Sequence, residues 1–211
     1  MRTLMKMCML CCGLLLAGAC TKKEDEGHYS SDTGTLRTTS TDNDGKVSFG
    51  DKRFVKGALE LGTKEVRLAE YAVNRATSTA IRDFAKMMVD DHTKSNDELK
   101  MLAMNKNIEG DEVADAEEDA RDKIDNWSKK SGSEFDEAFI EQMVRDHKKA
   151  VRHFEDAAED ADDAEIRAFA AKHLSTLRMH LEKAQMLEND LKGRDATKDN
   201  NVTKDKNKEV Y

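Results

Sequence analysis

From residue 54 to residue 192 the apolar positions recur every three or four residues, which is the period of an amphipathic helix. Four long helices follow from that pattern. The first runs from about Phe54 to Ala76, with Phe54, Ala58, Leu61, Glu65, Leu68 and Ala72 on one face. The second runs from about Thr79 to Lys106 and carries Ile81, Phe84, Met88, His92, Ser95, Leu99 and Leu102; Thr77 or Ser78 stands where its N-cap belongs. The third, about Glu134 to Glu159, aligns Phe135, Phe139, Met143, His147, Ala150, Phe154 and Ala157. The fourth, about Ala164 to Lys192, aligns Ile166, Phe169, His173, Leu177, His180, Ala184, Leu187 and Leu191. The first and last connections span only a few residues, so each pair should fold as an antiparallel hairpin. The middle connection, about residues 107–133, has its own amphipathic run of Val113, Ala116, Ala120, Ile124 and Trp127. A linker long enough to hold a short helix can traverse a bundle, so the expected fold class is all-α, a ferritin-like four-helix bundle with a long crossover between its second and third helices.

Each seam is interrupted by polar residues: Glu65, His92, His147 and, on the fourth helix, His173 and His180. The phrase F-x-x-x-M-V-x-D-H occurs at 84–92 and again at 139–147. At a rise of about 1.5 Å per residue, Glu65 lies about 18 Å and His92 about 22 Å from the first hairpin turn. His147 lies about 22 Å from the second turn, with His173 and His180 about 16 and 27 Å from it. Glu65, His92 and His147 should therefore meet near mid-height, with the other two histidines on either side. Converging imidazole and carboxylate groups suit zinc, iron or copper, and Asp91 or Asp146 could orient a ligating imidazole from behind. A transition metal is thus the candidate cofactor.

The plainer expectation is that these residues hydrogen-bond one another and fix helix register. Ferritin-like di-iron sites place Glu three residues before a ligating His. The six histidines here are preceded at that spacing by Asp25, Val89, Val144, Ala150, Ala170 and Leu177, so that motif is absent. Structural polar contacts are the leading reading, a metal site the alternative, and catalysis the least supported. There is no glycine-rich phosphate loop, nucleophile elbow or zinc-protease motif. The methionines read as core filler, His153 as exposed, and the acidic run 155–165 as a solvated helix end lacking the ligand spacing of a calcium loop.

Composition adds location. Residues 1–19 begin with Arg2 and Lys6, continue through an apolar stretch and end in Ala17, Gly18 and Ala19, as a secretory signal does. Cys20 follows, and the junction resembles a bacterial lipobox, which implies lipidation of Cys20 as the mature N-terminus and a membrane partner held through that lipid. The acidic cluster after Cys20 resembles an export signal toward the outer face of an outer membrane. All four cysteines, Cys8, Cys11, Cys12 and Cys20, fall in these first 20 residues, so the folded part has no disulfide or thiolate site. Residues 20–50 read as a flexible tether with a reach of roughly 30 Å. Residues 51–192 form the bundle, and 193–211 read as a disordered polar tail. A net charge of −8 argues against nucleic acid as a partner.

The stretches EVRLAEYA (65–72), FAKMMVDDHTKSNDEL (84–99), SGSEFDEAFIEQMVRDHKKAV (131–151) and HLSTLRMHLEKAQML (173–187) together resemble a bacterial envelope family known as domain of unknown function 4142. The resemblance covers about residues 52–190. It implies a ferritin-like bundle in an outer membrane protein and brings no agreed activity with it. The expected role is binding or interaction with an envelope protein or ligand, or stress tolerance. A metal-binding or redox bundle is the alternative.

Overall fold

A computed structural model describes residues 47–110 and 112–206, without the side chains of 112 and 195–206. The signal segment, Cys20, His28, most of the tether and the last five residues lie outside the described part. Five helices follow in order: α1 Phe49–Arg75, α2 Thr79–Asn105, α3 Glu112–Ser128, α4 Ser133–Asp160 and α5 Ala164–Lys206. No described helix is long and apolar enough to cross a membrane. The helix α1 starts earlier than its apolar period suggests, because Ser48 caps it: Ser48 Oγ accepts from Asp51 N at 3.0 Å. At the other end α5 continues through Gly193 to Lys206, beyond the point where its apolar seam ends. No proline interrupts it, and Gly193 does not take the positive φ that commonly ends a helix.

Helices α1 and α2 pair, α4 and α5 pair, and the hairpins meet through α1 on α4 and α2 on α5. The α3 crossover lies along α1. Two buried carboxylates fix how the hairpins meet. Asp51, at the start of α1, accepts from Asp162 N (3.1 Å) and Asp163 N (2.9 Å) in the α4–α5 turn. Asp136, at the start of α4, accepts from Thr77 N (3.0 Å), Thr77 Oγ1 (2.7 Å) and Ser78 N (2.9 Å) in the α1–α2 turn. Each hairpin thus caps the other's turn. The expected capping of α2 by Thr77 or Ser78 gives way to this arrangement: Ser78 makes no side-chain cap bond. Because α1 begins beside the turn where α4 ends, and α4 begins beside the turn where α1 ends, the two run antiparallel. The crossover must then traverse the bundle's length, which is the ferritin-like topology.

The exchange exposes an internal repeat. Asp51, Phe54 and Val55 reappear 85 positions later as Asp136, Phe139 and Ile140. Ala76, Ile81, Arg82, Phe84 and Ala85 reappear at the same offset as Ala161, Ile166, Arg167, Phe169 and Ala170. The equivalence is structural. Ala76 and Ala161 both leave their helices in extended conformation. Arg82 donates to Ala76 O at 2.7 Å, and Arg167 donates to Ala161 O. The shared Asp-His phrase, at a spacing of 55, is a different pattern and does not mark this repeat.

The apolar core comes in two halves. One gathers Leu68, Phe84, Met88, Phe135, Phe139 and Met143 near the α1–α2 turn, with Trp127 of α3 against Phe135 and Phe139. The other gathers Phe54, Leu99, Phe154, Ile166, Phe169 and Leu177 near the α4–α5 turn. Met88 and Met143 fill the core as expected, whereas Met101, Met104, Met179 and Met186 are exposed, lying off the seams of α2 and α5. His153 also departs from expectation: it is half-buried, its ring centroid 5.0 Å from that of Phe54 and its Nε2 3.3 Å from the place a Cβ on Gly57 would occupy. In the acidic run, Asp163 is the N-cap of α5, accepting from Glu165 N (2.9 Å) and Ile166 N (3.1 Å) and pairing with Lys106 at 2.8 Å.

Asp136→Ala should lower unfolding stability by about 1–3 kcal/mol, since it strands two turn amides. Urea unfolding monitored by circular dichroism measures this, and an unchanged midpoint would show that the turn amides find other partners.

Candidate functional site

Between the two core halves lies a polar layer. On each of the four long bundle helices a seam position separates the halves: Glu65 on α1, His92 on α2, His147 on α4 and His180 on α5. All four are buried. The imidazole centroids form a nearly equilateral triangle, 5.5 Å from His92 to His147, 5.3 Å from His92 to His180 and 5.4 Å from His147 to His180. One nitrogen from each ring falls within 4.8 Å of those of the other two.

The hydrogen bonds assign the protons. His147 Nδ1 lies 3.0 Å from Met143 O, one turn back on its own helix. A carbonyl only accepts, so the proton sits on Nδ1 and the lone pair on Nε2. His180 Nε2 lies 2.9 Å from Asp91 Oδ2, which places its proton there and its lone pair on Nδ1. Glu65 stands behind two of the rings, with Oε2 3.3 Å from His92 Nδ1 and Oε1 3.2 Å from His147 Nδ1. Because the His147 N–H is directed at Met143 O, Glu65 Oε1 has no aligned donor. Four buried polar atoms of this layer consequently have no hydrogen-bond partner: His92 Nε2, His147 Nε2, His180 Nδ1 and Glu65 Oε1. Each such group costs about 1–3 kcal/mol if left unsatisfied.

Burial sets the charges. It pushes the His147 imidazole down to about 3, with His180 contributing and the Met143 carbonyl opposing. The same desolvation holds His92 well below the usual imidazole range, reinforced by His147, His180 and His173. His180 is lowered by burial against the opposing pull of Asp91. Burial raises Glu65 well above the usual carboxylate range, helped by Asp146 and opposed by Lys64. The three rings are therefore neutral near pH 7, the form that ligates metals, and burial favours the protonated form of Glu65.

The remaining candidates stand apart. Asp91 orients an imidazole, but that of His180 across the bundle rather than its neighbour His92. Asp146 accepts from Gln142 Nε2 at 2.9 Å and lies 3.9 Å from Lys64 Nζ. His173 pairs with Glu98 at 3.2 Å and packs on Phe169 at 4.4 Å. Asn96 escaped the sequence reading. It is buried one turn after His92, and its side chain occupies the space where a Cβ on Gly62 would lie, 2.2 Å from Asn96 Oδ1. The unusual Gly-for-side-chain position in α1 was the only signal.

A family model described as "Domain of unknown function (DUF4142)" matches residues 36–187. No curated protein matches the chain. Among solved structures, a crystal structure of a DUF305 fragment from Deinococcus radiodurans is similar, at 18% identity and a TM-score of 0.58. The match covers 71% of this chain and 99% of that one, a likeness of fold.

Since His92, His147 and His180 are neutral when folded but protonate once unfolded, the unfolded metal-free chain binds more protons below the usual imidazole pKa of about 6.5. Stability should fall as pH drops from there toward about 3. Glu65 acts in the opposite sense, because its raised pKa costs stability as pH rises above its unfolded value. Glu65→Gln should therefore stabilise the metal-free protein by roughly 1–3 kcal/mol at pH 8 and leave it unchanged at pH 4. Denaturation midpoints at the two pH values test this, and equal effects at both would contradict the assignment.

Proposed function

The chain belongs to the DUF4142 family, and we propose that this member binds one divalent transition-metal ion between His92, His147 and His180. The observation that carries the reading is that three buried neutral imidazoles bring one nitrogen each within 4.8 Å of the others, and that each ring has a nitrogen without a partner. Polar neighbours account for His92 Nδ1, His147 Nδ1 and His180 Nε2, but the other nitrogen of every ring has no partner. Tetrahedral zinc with bonds of about 2.0–2.1 Å needs nitrogens roughly 3.3 Å apart, which modest ring rotations can reach from this spacing. Three imidazoles without a thiolate suit zinc, copper, iron or nickel, and the affinity order favours copper and zinc.

The carboxylates fit as supports. Glu65 lies beside His92, the Met143 carbonyl holds His147 and Asp91 holds His180, so each ring has a polar neighbour on the side away from the ion. A bound cation would favour the ionised form of Glu65 that burial opposes. Three protein donors leave a coordination position open, as catalytic zinc sites do. The role proposed is binding of the ion rather than turnover. Lipidation of Cys20 would tether the bundle to the outer membrane of a bacterial envelope through the expected flexible segment, residues 20–50.

Full-length protein purified in detergent, without chelator or affinity tag, should carry or take up close to one equivalent of metal by elemental mass spectrometry. The His92→Ala/His147→Ala variant should lose it while its helical circular dichroism persists, and Asp91→Asn should weaken affinity about ten- to a hundredfold. No metal after reconstitution with zinc, iron and copper would contradict the reading. Cys20→Ser should move the protein from the membrane to the soluble fraction of cells, and retention at the membrane would contradict the lipid anchor.

A further inference from the structure

Beside the histidine triangle, on the side facing the α4–α5 turn, is a cavity of about 30 Å³. Glu65, His92 and His180 form part of its wall. At roughly 10–15 Å³ for one water, it has room for about two waters, or for a ligand of two or three heavy atoms.

The internal repeat explains why space is left there. At the offset of 85, Glu65 corresponds to Ala150, His92 to Leu177, His147 to Gly62 and His180 to Ser95. All four counterparts line the cavity. Where one half of the bundle has its polar layer, the equivalent place in the other half has three small residues and one leucine. The bundle therefore has one histidine site, not two, and the unfilled counterpart adjoins it.

Asn96 is the buried polar side chain of that space outside the histidine layer. It is buried and lines the cavity one turn from His92, and its side chain makes no hydrogen bond to another described residue. Its amide is held against α1 because residue 62 lacks a Cβ. Half-buried Asp91, Ser95, His173 and Thr176 form the wall along the α2–α5 seam, which is the short way to solvent.

We propose that this cavity is a binding site for a ligand of two or three heavy atoms that fills the metal's open coordination position and hydrogen-bonds to Asn96. The proposal rests on the metal reading and assigns the class of ligand that the site accepts. Size favours ligands of no more than about three heavy atoms, and the amide of Asn96 can donate to an anion or accept from a protonated ligand. Gly62 sets the clearance that keeps Asn96 in place.

The test uses full-length protein loaded with cobalt(II), whose visible spectrum reports its coordination. Azide, with three heavy atoms, should shift the spectrum saturably, and imidazole, with five, should not. Asn96→Leu should keep one equivalent of cobalt but weaken azide binding roughly fivefold, the worth of one hydrogen bond. Gly62→Ala, which must displace Asn96, should weaken it at least as much. A bound equivalent of cobalt that ignores azide, or that accepts imidazole as readily, would overturn the small-ligand site and leave the metal site standing. Unchanged azide affinity in both variants would overturn the role of Asn96. Failure to bind cobalt at all would overturn the metal reading and this inference with it.

Discussion

Three imidazoles and a carboxylate buried between two apolar half-cores are the constraint to which the rest of the bundle answers. Their burial is costly, because four polar atoms lose water and find no protein partner in return. It is also selective, because desolvation keeps the rings neutral and their lone pairs free. A layer of this kind is useful only if four helices hold a common register. One residue of slip is about 1.5 Å along the axis and about 100° around it, enough to turn a ring out of the layer. The exchanged caps supply that register from the two ends. Asp51 ties the start of α1 to the α4–α5 turn, and Asp136 ties the start of α4 to the α1–α2 turn. The apolar halves fill the space between each cap and the polar layer.

The repeat and its departure connect fold to function. Caps, turn residues and phenylalanines follow the 85-residue offset, so the two hairpins are built to one plan. The polar layer does not follow it. Glu65, His92, His147 and His180 meet on one side of the bundle centre, and Ala150, Leu177, Gly62 and Ser95 take their places on the other. A polar layer with an adjoining void is the consequence. The same asymmetry accounts for Asn96, whose repeat counterpart is Leu181 and which occupies the space that Gly62 leaves.

Much of this was legible from residue spacing. The four seams, the short hairpin turns and the crossover helix follow from apolar periodicity. The rise per residue put Glu65, His92 and His147 at one height. It placed His173 and His180 symmetrically about that height and could not say which would join. Packing decided, since His180 is held from α2 by Asp91 and His173 turns to Glu98 on the same helix. The sequence also could not distinguish Glu65 as a donor to an ion from Glu65 behind the rings, because that depends on ring orientation. The caps were hidden for a related reason: Asp51 and Asp136 resemble ordinary first-turn acids, and their partners are 111 and 59 residues away. Methionines off the seams showed the opposite failure, where residue type suggested burial and position on the helix prevented it.

X-ray absorption at the metal edge of the loaded protein tests the central claim most directly, since it reads the identity and number of donor atoms. The account requires about three nitrogen neighbours at roughly 2.0–2.1 Å with the outer-shell pattern of imidazole rings, and no sulfur. A spectrum dominated by carboxylate oxygen, by sulfur, or by a single imidazole would place the ion elsewhere and leave the buried triangle a purely structural contact.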